Sequence, residues 1–94
     1  MSTVPDAALD GNAAAGVLAE VFAVDVTAAV GRCAGCGSHA PLGAAVAFLQ
    51  APGLVLRCRG CDVVLVRVVT SPDRHWVDLS GLAVLQVTRP AAGG

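Results

Sequence analysis

Two C-x-x-C pairs are the feature of this sequence whose residue types and spacing can do specific chemistry. Cys33 pairs with Cys36 and Cys58 with Cys61, and together they are all the cysteines of the chain. Two intervening residues allow a tight turn to direct both sulfurs towards one point, and Zn²⁺ takes four such thiolates at tetrahedral angles about 2.3 Å away. Pairs separated by roughly 20 residues are typical of a zinc site. The sequence therefore predicts one Zn²⁺ per chain with these four ligands.

Small residues surround the cysteines, as tight metal-binding turns require. Gly35, Gly37 and Gly60 can adopt positive φ and let backbone amides approach sulfur, because glycine has no Cβ. Asp62 follows the second pair where Gly37 follows the first, and aspartate enters the left-handed region more readily than most residues. We expect both turns to form, with some strain in the second.

The length of the chain favours a single domain in which the metal contributes to folding. A core built from 94 residues is marginal, and a structural metal often supplies the missing stability. We expect one zinc-ribbon domain over residues 9–87, between flexible ends at residues 1–8 and 88–94.

The opening residues bear on the cellular compartment. Met1 to Ala8 include Asp6 but no basic residue, so the charged start of a secretory signal is missing. We therefore expect a cytoplasmic protein with reduced thiols, and two disulfides are the less favoured alternative. No apolar run approaches the roughly 18 residues that a membrane-spanning helix needs, so we expect no membrane association.

The charge balance argues against a nucleic-acid partner. The formal net charge is -1; four thiolates lower it by four and Zn²⁺ raises it by two, which leaves the metal-bound protein near -3. An acidic protein is a poor non-specific ligand for phosphate backbones. Arg32, Arg57 and Arg59 flank or lie within the cysteine pairs, where they either offset thiolate charge or are ordinary surface residues.

The first third of the chain carries a helix signal and then an extended one. Asp10-Gly11-Asn12 is typical of a helix start, and Ala13 to Ala23 has apolar residues at helical spacing, which predicts a short amphipathic helix. Those apolar residues are Val17, Leu18, Val21 and Phe22. Val24 to Gly31 is rich in β-branched residues, which favours a strand that leads into the first cysteine pair.

A hairpin should connect the two cysteine pairs. Leu42 to Gln50 and Leu54 to Arg57 have strand patterns, and Ala51-Pro52-Gly53 is typical of a turn. We expect the two ends of this hairpin to bring the pairs together as a zinc ribbon. The predicted fold is small α+β and mostly β, with the N-terminal helix packed on an antiparallel zinc-ribbon sheet.

The last third should add strands to the same sheet. Val63 to Val69 is apolar on both faces except at Arg67, which predicts a central strand buried on both sides. After a turn at Ser71 to Arg74, two further strands are predicted at Trp76 to Leu79 and Leu82 to Val87. The intervening Ser80-Gly81 is either a tight hairpin turn or a bulge in one longer strand.

Several segments together carry a family resemblance. They are Leu9-Asp10-Gly11-Asn12-Ala13, Leu18-Ala19-Glu20-Val21-Phe22, Asp25-Val26-Thr27, Gly31-Arg32-Cys33-Ala34-Gly35-Cys36-Gly37 and Pro52-Gly53-Leu54-Val55-Leu56-Arg57-Cys58. With these segments, residues 9–87 resemble a family of small uncharacterised zinc-ribbon proteins from high-GC bacteria. The resemblance implies a zinc-ribbon fold and a bound metal, and it implies no activity. Rubredoxins also use paired C-x-x-C turns, so iron is the alternative metal, although rubredoxins are richer in aromatic residues.

The remaining polar residues have simple structural interpretations. His39 should be a solvated loop residue, because four cysteines already complete the tetrahedron. His75 has no Ser, Cys or acid placed by the sequence to make it a catalytic base. Trp76 should fill the core with its indole N–H near the surface. The aspartates expected at turns or strand edges are Asp25, Asp73 and Asp78.

Three functions remain open at this point. The favoured one is a structural zinc ribbon that binds an unknown protein partner as an interaction or regulatory module. The second is a nucleic-acid-binding ribbon, and the third is an iron or thiol redox protein at the same cysteines. The arginines available to the second are Arg32, Arg57, Arg59, Arg67 and Arg74. Phosphate-loop, nucleophile-elbow and paired-carboxylate motifs are missing, so we expect no enzyme.

Overall fold

Antiparallel pairing organises the chain into two sheets. The computed structural model describes residues 9–22, 25–50 and 53–88. Its larger sheet has the strand order β1-β4-β5-β6-β7 and its smaller one the order β3-β2-β8. The strands of the larger sheet are β1 (Leu9–Asp10), β4 (Val46–Gln50), β5 (Gly53–Arg57), β6 (Val64–Ser71) and β7 (Arg74–Asp78). Those of the smaller sheet are β2 (Val30–Cys33), β3 (His39–Pro41) and β8 (Leu82–Gln86).

One short helix packs against this framework, as predicted. A 3-10 turn at Gly11–Ala14 leads into α1 (Ala15–Phe22), and the Asp10 carboxylate caps the turn by accepting the Asn12 amide at 2.8 Å. Leu18 is fully buried in the common core. A helix of this length is marginal alone, so its packing stabilises it. The prediction of a small α+β fold with an N-terminal helix and antiparallel strands is confirmed.

The predicted strand at Val24 to Gly31 is largely wrong. Val24 lies outside the described residues, and the chain turns before β2 begins at Val30. The Asp25 carboxylate accepts the Thr27 amide at 2.9 Å and the Thr27 hydroxyl at 2.6 Å, a local turn that aspartate favours. Val26 is buried in the core, and the burial of a β-branched side chain does not require a strand.

The β4–β5 hairpin forms where the sequence predicted it, but it begins later. Val46 pairs with Arg57 and Leu49 with Leu54. The segment before Val46 is a 3-10 turn at Leu42–Ala44, whereas the sequence predicted a strand from Leu42. The turn residues 51–52 lie outside the described residues.

Strand β6 is central, but it is not buried on both sides. Val66 and Val68 are fully buried on the inner face, whereas Val69 is 38% exposed on the outer one. Arg67 is also exposed there. Successive side chains of a strand point to opposite faces, and α1 lies over the inner face, where Glu20 approaches His75. The outer face of the larger sheet is therefore open to solvent.

The two last strands belong to different sheets. The chain leaves the larger sheet at Asp78 and joins the smaller one at Leu82, so Ser80-Gly81 is a crossover and neither a hairpin turn nor a bulge. Gly81 is buried, and a Cβ there would collide with the Val64 carbonyl oxygen. Its own carbonyl accepts the Ala34 amide at 2.9 Å. At this crossover the backbone of the connecting segment therefore packs closely against the larger sheet, beside the first cysteine pair.

A single cluster of buried apolar side chains fills the space between the elements. Ala14 and Leu18 come from the helical segment, Leu56 and Val66 from the larger sheet, and Cys33 from the smaller one. Among the described residues, no helix is both long enough and apolar enough to cross a membrane. The predicted flexible ends, residues 1–8 and 88–94, lie outside the described residues apart from Thr88, and the domain boundaries stay a prediction.

Candidate metal centre

Each cysteine pair forms the turn of its own hairpin. The first lies between β2 and β3, and the second between β5 and β6. The sequence instead predicted that the two ends of the β4–β5 hairpin would deliver both pairs. Because β2 and β3 belong to the smaller sheet and β5 and β6 to the larger one, the cysteines join the two sheets.

The four sulfurs converge on one point. All four Sγ atoms lie within 4.8 Å of one another; Cys33 and Cys61 are 3.5 Å apart and Cys36 and Cys58 are 3.7 Å apart. Sulfurs about 2.3 Å from a tetrahedral Zn²⁺ would be roughly 3.8 Å from each other. The donor set and its spacing therefore fit a tetrahedral metal ion, and the predicted ligands are brought together as a four-cysteine cluster.

Backbone amides point at the sulfurs in the same way in both turns. The Gly35 amide lies 3.3 Å from the Cys33 Sγ, and the Gly60 amide lies 3.3 Å from the Cys58 Sγ. The Cys36 amide also approaches Cys33, at 3.5 Å. Amide donors favour the thiolate over the thiol. The turns are thus arranged to hold sulfur in its metal-binding form.

The left-handed residues of the two turns occupy equivalent positions. Gly37 has a φ of 77° and Asp62 a φ of 69°, which confirms the expectation for Asp62. Among the described glycines only Gly37 has positive φ, so that part of the expectation for Gly35 and Gly60 is wrong. Glycine at position 35 instead allows the backbone to lie close to the Val63 side chain, since a Cβ there would be 3.0 Å from it.

The cluster is buried on one side and open on the other. Cys33 and Cys58 are buried, whereas Cys36 and Cys61 are exposed. The Cys61 amide, more than any other group, lowers the pKa of Cys58 to about 6. The Val63 amide lowers the pKa of Cys61, but the Cys33 sulfur, burial and the other sulfurs outweigh it and raise that pKa to about 12. Four thiolates this close repel one another, so a bound cation is needed for all four to be deprotonated.

A serine beside the sulfurs was missed by the sequence analysis. The Ser38 hydroxyl lies 3.2 Å from the Cys36 Sγ and 3.7 Å from the Cys58 Sγ. With the Ser38 amide it lowers the pKa of Cys36. The signal was its position two residues after Cys36, which in this turn type faces the preceding sulfur. A cavity of about 70 Å³ borders Ser38 and the two buried cysteines.

Arg57 and Arg59, two of the arginines near the cluster, donate hydrogen bonds to carbonyl oxygen atoms. Arg57 donates to the Asp62 carbonyl at 3.1 Å and lies 3.7 Å from the Asp62 carboxylate. Arg59 donates to the Ala44 carbonyl at 2.9 Å. These bonds tie the second turn to neighbouring backbone. His39, on β3, is exposed and lies outside the four-cysteine cluster.

Two residues of β7 have surroundings that the sequence did not indicate. A hydroxyl and a carboxylate lie beside the His75 ring: Thr70 Oγ1 is 2.9 Å from its Nδ1, and Glu20 Oε1 is 3.6 Å from its Nε2. The Thr70 contact follows from hairpin register, whereas Glu20 arrives only by tertiary packing of α1. Trp76 is 54% exposed, with the Arg74 guanidinium 5.7 Å from its ring centroid. It is not a core residue, because it lies on the open outer face.

Comparison with known proteins gives a family without an activity. A family model described as a family of unknown function, DUF6510, matches residues 5–90. The chain belongs to the DUF6510 family. No curated protein and no solved structure matches it. The resemblance to an uncharacterised family is therefore confirmed.

Proposed function

We propose that this DUF6510 protein is a structural zinc module whose role is to bind another protein. The observation that carries the proposal is the convergence of four sulfurs from the turns of two different sheets. Bound Zn²⁺ would supply two positive charges and a covalent-like link between the sheets, and four cysteines leave no open coordination position for catalysis. We accordingly propose that the protein is not an enzyme.

The donor set of four cysteines favours zinc. Four thiolates in a closed tetrahedron are the ligands of structural zinc sites, and iron can occupy the same ligands. Local groups already favour thiolate at Cys36 and Cys58, so these cysteines are prepared for a cation. Reduced thiols of this kind persist in the cytosol, where we propose that the protein functions.

The charge pattern of the open sheet face supports a protein partner over a nucleic acid. This outer face comprises Phe48, Val55, Arg57, Arg67, Val69, Arg74, Trp76 and Asp78. Each of its arginines has an acid nearby: Arg57 lies 3.7 Å from Asp62 and Arg74 lies 3.0 Å from Asp73. Arg67 pairs across the strands with Asp78, whose pKa the Ser80 amide and, to a lesser extent, Arg67 lower.

On this face, and among the residues that the structure describes, each positive charge lies beside an acid, so the face offers no continuous positive surface to the phosphates that drive nucleic-acid affinity. An exposed tryptophan beside arginine is instead typical of the centres of protein interfaces. The outer face therefore supports protein recognition.

The test begins with the metal of the protein as purified from cells grown in medium containing both zinc and iron. We expect one equivalent of zinc per chain by elemental analysis and a colourless solution. We also expect the four cysteines not to react with a thiol reagent until a chelator removes the metal. A red protein with an iron-type absorption would support the redox alternative. A metal-free protein with two disulfides and an unchanged fold would overturn the proposal.

A further inference from the structure

The edge strand β7 offers an unpaired, self-complementary backbone. Strand β7 ends the larger sheet, and within residues 9–22, 25–50 and 53–88 no strand pairs with its other side. An unpaired edge of this kind is a template for another strand.

Hairpin geometry shows which groups of β7 are free to pair. Only two residues connect Ser71 to Arg74, so this closing pair is hydrogen-bonded and the N–H and C=O groups of alternate residues point to alternate edges. Arg74, Trp76 and Asp78 therefore bond towards β6. His75 and Val77 direct their N–H and C=O groups to the open edge.

The sequence Arg74-His75-Trp76-Val77-Asp78 is complementary to itself when two copies run antiparallel. Centring the pair on Trp76 places His75 opposite Val77 of the second copy, which brings the outward N–H and C=O groups together. The same register places Arg74 opposite Asp78 of the second copy, twice by symmetry. Registers centred on His75 or Val77 also match the backbone, but they do not align opposite charges.

Side-chain exposure agrees with this register. Trp76 is 54% exposed and Val77 is 39% exposed, so both have apolar surface to bury. In the symmetric pair, the two copies of Trp76 meet as a close cross-strand pair on the outer face, where aromatic pairs are stabilising. Asp78 would lie between Arg67 of its own chain and Arg74 of the second copy.

The other open edges lack these features. Strand β1 has two residues, and β3 has three and ends in Pro41, which are ways in which proteins protect an edge. Strand β8, Leu82–Gln86, carries no charged residue, so nothing fixes a register there. We propose that the protein forms a symmetric dimer in which two β7 strands pair antiparallel about Trp76 and join the two larger sheets into one.

Charge exchange tests the register without removing the fold. In Arg74→Glu or Asp78→Arg, like charges face each other in both symmetric contacts, and we expect the dimer dissociation constant to rise at least roughly tenfold. When the two variants are mixed, every contact joins opposite charges again. We expect a heterodimer whose affinity approaches that of the wild type.

A second pair of variants separates the edge from the side chains. Val77→Pro removes an outward N–H that β6 does not use, and proline is tolerated on an edge strand where the N–H faces solvent. We expect it to keep the fold by circular dichroism and to be monomeric. Val84→Glu, on the edge strand β8, should leave the dimer unchanged.

Sedimentation equilibrium of the metal-loaded protein from about 1 μM to about 1 mM measures these affinities, and fluorescence of the single tryptophan reports its environment on dilution. A wild-type monomer throughout this range overturns the proposal. So does a dimer that persists in Val77→Pro or dissociates in Val84→Glu, because either result places the interface elsewhere. None of these outcomes depends on which metal the four-cysteine cluster binds.

Discussion

Gly37 and Asp62 perform the same backbone task in two turns that belong to different sheets. The Gly37 amide donates to the Cys33 carbonyl and the Asp62 amide to the Cys58 carbonyl, each at 2.8 Å. Both residues have positive φ. The two halves of the four-cysteine cluster are thus nearly equivalent turns, and the second achieves this with a residue for which the conformation is less favourable.

Removal of the metal should unfold the protein. Metal binding is folding energy in small domains, on the order of 10 kcal/mol, and the four-cysteine cluster joins the two sheets. We expect Cys58→Ser to lose the metal and the cooperative thermal transition, and we expect the same of the wild type when a chelator is added. His39→Ala is the matched control and should keep both, as measured by elemental analysis and circular dichroism. A stably folded, metal-free Cys58→Ser variant would contradict this role.

The left-handed positions should tolerate glycine and resist alanine. Gly37→Ala should lower the free energy of unfolding by about 1 kcal/mol, because a Cβ disfavours positive φ. Asp62→Ala should lower it by less, because aspartate already has a Cβ and loses only the local hydrogen bonding by which its side chain favours this conformation. Asp62→Gly should be nearly neutral, since relief of strain is offset by a more flexible unfolded chain. Gly60→Ala is the control and should cost less, because Gly60 does not have positive φ and its new Cβ would lie 3.7 Å from the nearest atom, the Cys58 Sγ. Denaturant titration measures each free energy of unfolding. Equal losses of stability in Gly37→Ala, Asp62→Ala and Gly60→Ala would contradict the explanation from positive φ.

The crossover between the sheets should be intolerant of any side chain. In Gly81→Ala, the new Cβ would meet the Val64 carbonyl and lie 2.9 Å from the Leu65 Cα. We expect a loss of about 2 kcal/mol or more in the free energy of unfolding, as for other overpacked sites. Gly16→Ala, in α1 with no atom within 4 Å of the new Cβ, should instead stabilise the protein by roughly 0.5–1 kcal/mol. If Gly81→Ala left the free energy of unfolding unchanged, the two sheets would have to be able to separate locally.

The turn before β2 should contribute to acid sensitivity. The Thr27 hydroxyl and then the Thr27 amide hold the pKa of Asp25 below its ordinary value of 3.8. A lowered folded-state pKa gives stability that is present above the unfolded-state pKa and is lost as the pH falls through the folded-state value. Asp25→Asn should therefore be less stable than the wild type at neutral pH, and the difference should shrink below about pH 3.8. Denaturant titrations at several pH values test this, and a stability difference that grows in acid would show that the folded state does not favour the ionised Asp25 carboxylate.

Nucleic acid should not be a ligand. Because the outer-face arginines lie beside acids, we expect no binding to single- or double-stranded oligonucleotides tighter than about 10⁻⁴ M at physiological salt. Fluorescence anisotropy with the metal-loaded protein at two salt concentrations measures this. Micromolar binding that weakens steeply with salt, and that is lost when Arg57→Glu and Arg59→Glu are combined, would replace protein recognition with nucleic-acid recognition.

The four-cysteine cluster could be predicted because the sequence signals that specify it are local. Each C-x-x-C turn is specified by four or five consecutive residues, and Asp62 is identifiable as a left-handed residue by its place after Cys61. The Thr70 contact of His75 could also have been derived, since a two-residue loop fixes the pairing of β6 with β7. In contrast, Glu20 reaches His75 only because α1 packs over the sheet.

The sequence by itself determined the four-cysteine cluster, the turn chemistry around it, the helix and most of the strands, because short-range spacing and alternation specify these features. Only the tertiary structure decided that the two cysteine turns belong to separate sheets, that Ser80-Gly81 carries the chain between them, and that Trp76 lies on an open face. The physical reason is that the sequence of an apolar strand does not specify which of its faces other elements will cover. That depends on where α1 and the second sheet pack, which long-range contacts determine.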